Sequence, residues 1–116
     1  MDEYGKERNH KFMEKNYKVE GTQLIYQMPQ EVDHHIAKEL CKDLDRLIES
    51  QGIGELVLDF SRTEFMDSSG IGLLMGRFKL MRALGGTVYI ANAGERIRKV
   101  LMLSGIHKII PIEGEI

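Results

Sequence analysis

Cysteine is almost missing from this sequence: Cys41 is the only one in 116 residues, which excludes a disulfide framework and any cysteine-based zinc cluster. Long apolar runs are missing as well. None approaches the roughly 18 residues of a membrane span, and the opening Met1-Asp2-Glu3-Tyr4-Gly5-Lys6 has no signal-peptide core. The expected address is therefore cytoplasmic. No internal repeat, low-complexity tract or linker is present, and the length suits one domain. What is there is ordinary for a folded chain, with 42% hydrophobic and 29% charged residues, a balance that argues against disorder. Residues 1–11 are polar and read as an N-terminal arm, leaving 12–116 as the domain.

The net charge of −2 conceals a division. From Pro29 to Asp67 there are ten acids and four bases; from Ser68 to Ile110 there are seven bases and one acid. Such halves either neutralise each other on folding or present polarised faces to a partner. The sequence pI of about 6.1 argues against a dedicated nucleic-acid binder.

Periodicity gives the elements. Strands are expected at Tyr17–Glu20 and Gln23–Met28, turned at Gly21-Thr22. Asp33 is placed to cap a helix over 34–50, with Ile36, Leu40, Leu44, Leu47 and Ile48 as its buried stripe. Leu56-Val57-Leu58-Asp59-Phe60 reads as a strand covered on both faces. A second helix should run from Ser68 or Ser69 to Leu84, with Ile71, Leu74, Met75, Phe78 and Met81 inward and Arg77, Lys79 and Arg82 in water. Gly85-Gly86 then stops it. Thr87–Asn92 is a further strand, Glu95–Leu103 a third helix, and Ile109–Ile112 a last strand. The alternation implies an α/β fold, a mixed sheet of four to five strands with three or more packed helices.

The chemistry concentrates in Phe65-Met66-Asp67-Ser68-Ser69-Gly70-Ile71-Gly72, between a strand and a helix. A helix start leaves about four N–H groups unpaired and partly positive, which Asp or Ser can cap. The glycines go beyond a cap. Each costs a helix roughly 1 kcal/mol against Ala, so Gly70 and Gly72 imply close approach of a partner; Gly72 and Gly76 could instead permit tight packing on the sheet. The run Gly70-x-Gly72-x-x-x-Gly76 lacks dinucleotide spacing, and no Gly-Lys-Ser/Thr follows. A nucleophile elbow would need glycine where Met66 or Asp67 stands, and His107 is the only downstream base, so a serine hydrolase is disfavoured. Adjacent on a helix, His34 and His35 diverge by about 100° and cannot chelate one metal together. No metal, cofactor or catalytic residue is expected.

At this segment the sequence resembles the STAS family, the sulfate transporter and anti-sigma factor antagonist domains, and within it the sporulation anti-sigma F factor antagonists. The likeness runs from about Tyr17 to Ile110. It rests on Val32-Asp33-His34-His35, Leu56-Val57-Leu58-Asp59, Phe65 to Gly72, Gly76-Arg77-Phe78-Lys79, and Leu103-Ser104-Gly105-Ile106-His107-Lys108-Ile109-Ile110. The resemblance implies a binding switch, not an enzyme. Unphosphorylated, such a protein binds an anti-sigma factor that is itself a serine kinase, and so frees the sigma factor. The kinase phosphorylates the serine after the Asp, here Ser68, and a phosphoserine phosphatase resets it. Partner contacts are then expected at Asp33, His34, Asp67, Ser69, Gly70, Ile71 and Gly72, with no direct nucleic-acid or membrane partner. A STAS module of another kinase-controlled or stress-response pathway is the alternative.

Two departures from the family accompany the likeness. Better-known members carry a further C-terminal helix, whereas this sequence stops at Ile116 soon after the expected last strand; the expectation is a less covered face that favours self-association, with a monomer or a weak homodimer as the expected state. The glycine that often precedes the first helix is also missing, since the run here is Pro29-Gln30-Glu31-Val32-Asp33, a stiffer loop.

Overall fold

The computed structural model describes residues 16–114, so the arm expected over residues 1–11 lies outside the described residues. β1 (Tyr17–Glu20) and β2 (Gln23–Gln27) form the expected antiparallel hairpin. There follow β3 (Glu31–Val32), α1 (His34–Gln51), β4 (Glu55–Asp59), β5 (Phe65–Met66) and α2 (Ser68–Ala83). The chain continues with β6 (Thr87–Ala91), α3 (Glu95–Ser104), one 3-10 turn (Ile106–Lys108) and β7 (Ile112–Glu113). Five strands make one sheet in the order β1-β2-β4-β6-β7. All pairs beyond the hairpin are parallel, and the long crossovers that parallel neighbours need run through the helices. This is the mixed α/β sheet with three helices that the periodicity implies. The two-residue strands β3 and β5, which pair with each other, escape a reading by periodicity.

The core lies between one sheet face and the helices. Leu24, Tyr26, Leu56, Leu58, Val88 and Ile90 meet Leu40, Leu44, Leu47 and Ile48 of α1 and Leu73, Leu74 and Met81 of α2. β4 sits centrally and buries Leu56, Val57 and Leu58 in succession, as an apolar strand without alternation should. α2 stops at a Schellman motif: Gly85 N–H donates to Arg82 C=O at 3.0 Å and Gly86 N–H to Met81 C=O at 2.7 Å. Gly85 takes φ +81° there, where a side chain would be strained.

Two expectations are corrected. The inward stripe of α2 is turned by roughly 90° from the one expected: Gly70, Leu73, Leu74 and Met81 are buried, while Ile71, Met75 and Phe78 are only partly so. Arg77 therefore faces inward, not into water. Its side chain is 12% exposed and its Nε lies 3.0 Å from Asp45 Oδ1 on α1. Apolar residues occupy most sides of α2, so the pattern alone does not choose a face, and a long arginine stem packs wherever its head finds a carboxylate. The last strand begins at Ile112 rather than Ile109. Ile106 and Ile110 both point inward and hold the chain in a turn until Pro111 C=O accepts the Ile90 N–H at 2.9 Å.

A polar group sits within this core. Tyr26 Oη donates to Asp43 Oδ2 at 2.7 Å, and Arg46 pairs with the other oxygen of Asp43. Burial first, then the bond to Asp43, pushes the Tyr26 phenol far above its usual range. In the unfolded chain the phenol ionises near 10, whereas in the folded state it stays protonated. The native state then holds more protons, so stability is full below about 10 and falls as pH rises beyond it. We expect Tyr26→Phe to be about 1 kcal/mol less stable at neutral pH, yet to lose less than wild type between about pH 9 and 11. Urea denaturation across that range checks this, and parallel losses in the two proteins would refute it.

Candidate functional site

Two loops at the carboxyl ends of β2 and β4 run side by side and are joined along their length. Gln30 C=O accepts the N–H groups of Glu64 at 2.8 Å and Phe65 at 3.2 Å, and Val32 C=O accepts that of Asp67 at 3.3 Å. Side chains add to this: Thr63 Oγ1 donates to Pro29 C=O at 2.8 Å, Gln30 Nε2 to Glu64 Oε1 at 2.9 Å, and Arg62 Nη1 to Gln27 Oε1 at 3.1 Å. The loop Pro29-Gln30-Glu31-Val32-Asp33 is thus pinned from end to end. The β3–β5 register pairs Glu31 with Phe65 and Val32 with Met66, so Asp33 and Asp67 come next on both sides.

Each aspartate caps the helix that follows it. Asp33 Oδ1 accepts the Ile36 N–H at 2.9 Å, and Asp67 Oδ1 accepts the Ser69 N–H at 2.8 Å. Both cap residues are extended, at φ −99° and −101°, as N-caps are. Two helix N-termini, each with partial positive charge, therefore open at one rim.

The residues singled out from the sequence are distributed around this rim. His34 and Ser68 are exposed, while Asp33, Asp67 and Ser69 are half-buried. Ser68 makes no side-chain hydrogen bond among the described residues. Ser69 Oγ lies 3.5 Å from His34 Nδ1, a contact between the two helix starts. No carboxylate orients that imidazole among the described residues, as a catalytic triad would require. Nor do three His, Cys, Asp or Glu side chains gather there as metal ligands among the described residues. His107 sits in the 3-10 turn after α3.

The STAS domain family model matches residues 14–116. The chain belongs to the STAS family. It is 34% identical over 89 residues to the anti-sigma F factor antagonist of Paenibacillus polymyxa, covering 77% of this chain and 76% of the relative. To the anti-sigma-B factor antagonist of Bacillus subtilis it is 32% identical over 85 residues, covering 73% and 76%. The anti-sigma factor antagonist SpoIIAA in its unphosphorylated form superposes with a TM-score of 0.73 at 26% identity, over 83% of this chain and 86% of the other. The phosphorylated form of SpoIIAA from Bacillus gives 0.65, again at 26%, over 83% and 89%.

Within this STAS domain the two glycines of the first turn of α2 have different reasons. Gly70 is buried, and a methyl group there would overlap Met66 Cγ and Sδ and press on Val32 Cγ1 at 3.4 Å. Its small size serves the packing of α2 on the β3–β5 ladder. Ile71 packs partly against the core. Gly72 is exposed, and a methyl there would meet nothing within 4 Å; the same space is open at Gly76. Tight packing on the sheet is therefore not the reason for either of them.

Val32 and Met66, the residues that align the site, were not singled out from the sequence. The signal was present: Val32-Asp33-His34-His35 and Met66-Asp67-Ser68-Ser69 share one pattern, an apolar residue, a capping aspartate and two polar residues that open the helix. We expect Gly70→Ala to lower stability by about 1–3 kcal/mol through overpacking. Gly72→Ala should instead leave it unchanged or raise it by up to about 1 kcal/mol. Denaturant unfolding of both variants measures the contrast, and equal losses would refute it.

Proposed function

We propose that this STAS domain is an anti-sigma factor antagonist governed by phosphorylation of Ser68. In the unphosphorylated form it binds an anti-sigma factor with serine kinase activity and releases the sigma factor; phosphate on Ser68 ends the binding, and a phosphoserine phosphatase restores it. It works as a cytoplasmic binding switch rather than an enzyme, as a monomer or weak homodimer. The observation that carries this reading is the Ser68 hydroxyl, exposed and unengaged at the start of α2, in a chain whose relatives are named as antagonists of anti-sigma factors. A side chain sealed beneath others would be unreachable for a kinase.

The physics of the switch follows from charge. Phosphate adds −1.5 to −2 charges beside Asp67, and two unit charges about 5 Å apart repel by roughly 3 kcal/mol at an effective dielectric near 20. The helix start returns about 0.3–1 kcal/mol. In the free protein water screens the repulsion, so the fold survives. Within an interface water is excluded, and a loss of about 3 kcal/mol lowers affinity more than a hundredfold. Asp33, His34, Asp67, Ser69, Ile71 and Gly72 frame the docking rim, with Gly72 letting the partner approach the helix backbone.

With the anti-sigma factor kinase of its own cell and Mg-ATP, tandem mass spectrometry is expected to find the phosphate on Ser68. Affinity for that kinase should then drop about a hundredfold or more while the unfolding midpoint barely moves. Phosphate confined to other residues, or unchanged binding, would overturn the reading. Gly72→Ala should weaken binding about tenfold although the variant is at least as stable as wild type; unaltered affinity would remove Gly72 from the interface. The likeness to the anti-sigma-B factor antagonist favours a second reading, the same switch in another kinase-controlled pathway. Capture from the cell's own extract separates the two by which anti-sigma factor is retained.

A further inference from the structure

Ser68 and Ser69 are adjacent, carry the same hydroxyl and lie within reach of one kinase active site, their Cα atoms being about 3.8 Å apart. Resting on the reading of Ser68 as phosphate acceptor, we propose that His34 sets that choice: it engages the Ser69 hydroxyl from the neighbouring helix and so leaves Ser68 the single acceptor.

The two serines differ in what holds them. Ser68 is exposed and its side chain makes no hydrogen bond among the described residues. Ser69 is half-buried. Its N–H is held by Asp67 Oδ1 at 2.8 Å, and its Oγ lies 3.5 Å from His34 Nδ1. Successive residues of a helix project about 100° apart. Ser69 therefore turns toward α1 while Ser68 turns elsewhere, and a partner that docks squarely on one hydroxyl meets the other side-on.

Phosphoryl transfer is sensitive to that difference. The serine oxygen must stand in line with the γ-phosphorus as the bond to the departing ADP oxygen breaks and the new oxygen–phosphorus bond forms, while the serine proton passes to the kinase base. Ser69 meets this requirement only by leaving the imidazole. The backbone of His34 is in turn set, since it is the first residue after the Asp33 cap and the β3–β5 register sets that cap beside Asp67. Whichever tautomer the ring holds, one partner donates and the other accepts. His34 touches neither ATP nor the transferred phosphate, so its role is that of a positioning residue that excludes a competing nucleophile.

The test uses the full chain, the anti-sigma factor kinase of its own cell and Mg-ATP, with phosphate placed by tandem mass spectrometry. Wild type should carry phosphate on Ser68 alone, and Ser68→Ala should carry almost none. Ser68→Ala with His34→Ala should gain phosphate on Ser69, about fivefold or more above Ser68→Ala, the factor expected for one lost hydrogen bond. Ser68→Ala with His34→Asn should return to the Ser68→Ala level, because the asparagine side chain places a hydrogen-bonding atom where Nδ1 stood. His34→Ala alone is read by the ratio of phosphate on Ser69 to phosphate on Ser68, which should rise above wild type even where the loss of a rim residue lowers affinity for the kinase. Three results would overturn the role of His34: no gain on Ser69 in the double variant, no rescue by asparagine, or brisk phosphorylation of Ser69 in Ser68→Ala. Wild type without phosphate on Ser68 would overturn the switch itself, a separate outcome.

Discussion

Parallel pairing of two very short strands decides where everything else at the rim can be. Two-residue strands do not persist by themselves, yet Glu31-Val32 and Phe65-Met66 pair here because their surroundings supply what the ladder lacks. Val32 and Met66 are buried, and hydrogen bonds from Thr63, Gln30 and Arg62 fasten the loops that lead into them. Since the pairing is parallel and in step, the residue after each strand reaches the same level, and at both places it is a capping aspartate. Two helices then start together. A slip of one residue would turn Val32 out of the core, so the alignment is held by burial as much as by the ladder.

That alignment governs what a new negative charge at the rim can do. Anions favour helix N-termini because unpaired N–H groups face them. Here the Ile36 and Ser69 N–H groups are already taken by Asp33 and Asp67. On the proposed function, a phosphate on Ser68 would find fewer donors than at an uncapped start and would stand beside the Asp67 carboxylate. Its interactions must therefore be made outward, with water in the free protein and with whatever docks there in a complex. A helix start with unclaimed donors would fold the phosphate into its own cap and conceal the signal.

The main lines of the fold were legible because they rest on local rules. Asp33 and Asp67 stand as caps before apolar periodicities, Gly85-Gly86 stops a helix, and Leu56-Val57-Leu58 is too uniformly apolar for an edge. The face of α2 was not legible. Apolar side chains surround most of that helix, and which of them go inward is decided by what α1 and the sheet offer, Asp45 among them. Arg77 joins the basic half of the sequence to the acidic half at this point, which is one place where the charge division neutralises itself on folding. The β3–β5 ladder was also out of reach of periodicity, since two residues cannot display a period. Only the repeated motif before each helix hinted at it. The site residues were legible as a cluster in sequence, but their separate duties depend on the third dimension: Ser69 meets His34 across 35 positions of chain.

Gly70 and Gly72 show how far one turn can divide its work. Two residues apart on a helix means about 200° of rotation, so one faces the ladder when the other faces away. Inward, the missing side chain lets Met66 lie beneath the helix start. Outward, the open space has no structural occupant, and a helix would be steadier with alanine. Under the proposed function, the use of such a glycine is the close approach of a partner to the helix backbone. On the proposed function, the side on which Gly72 stands is the side to probe for a docking partner, and it belongs to the same first turn as Ser68.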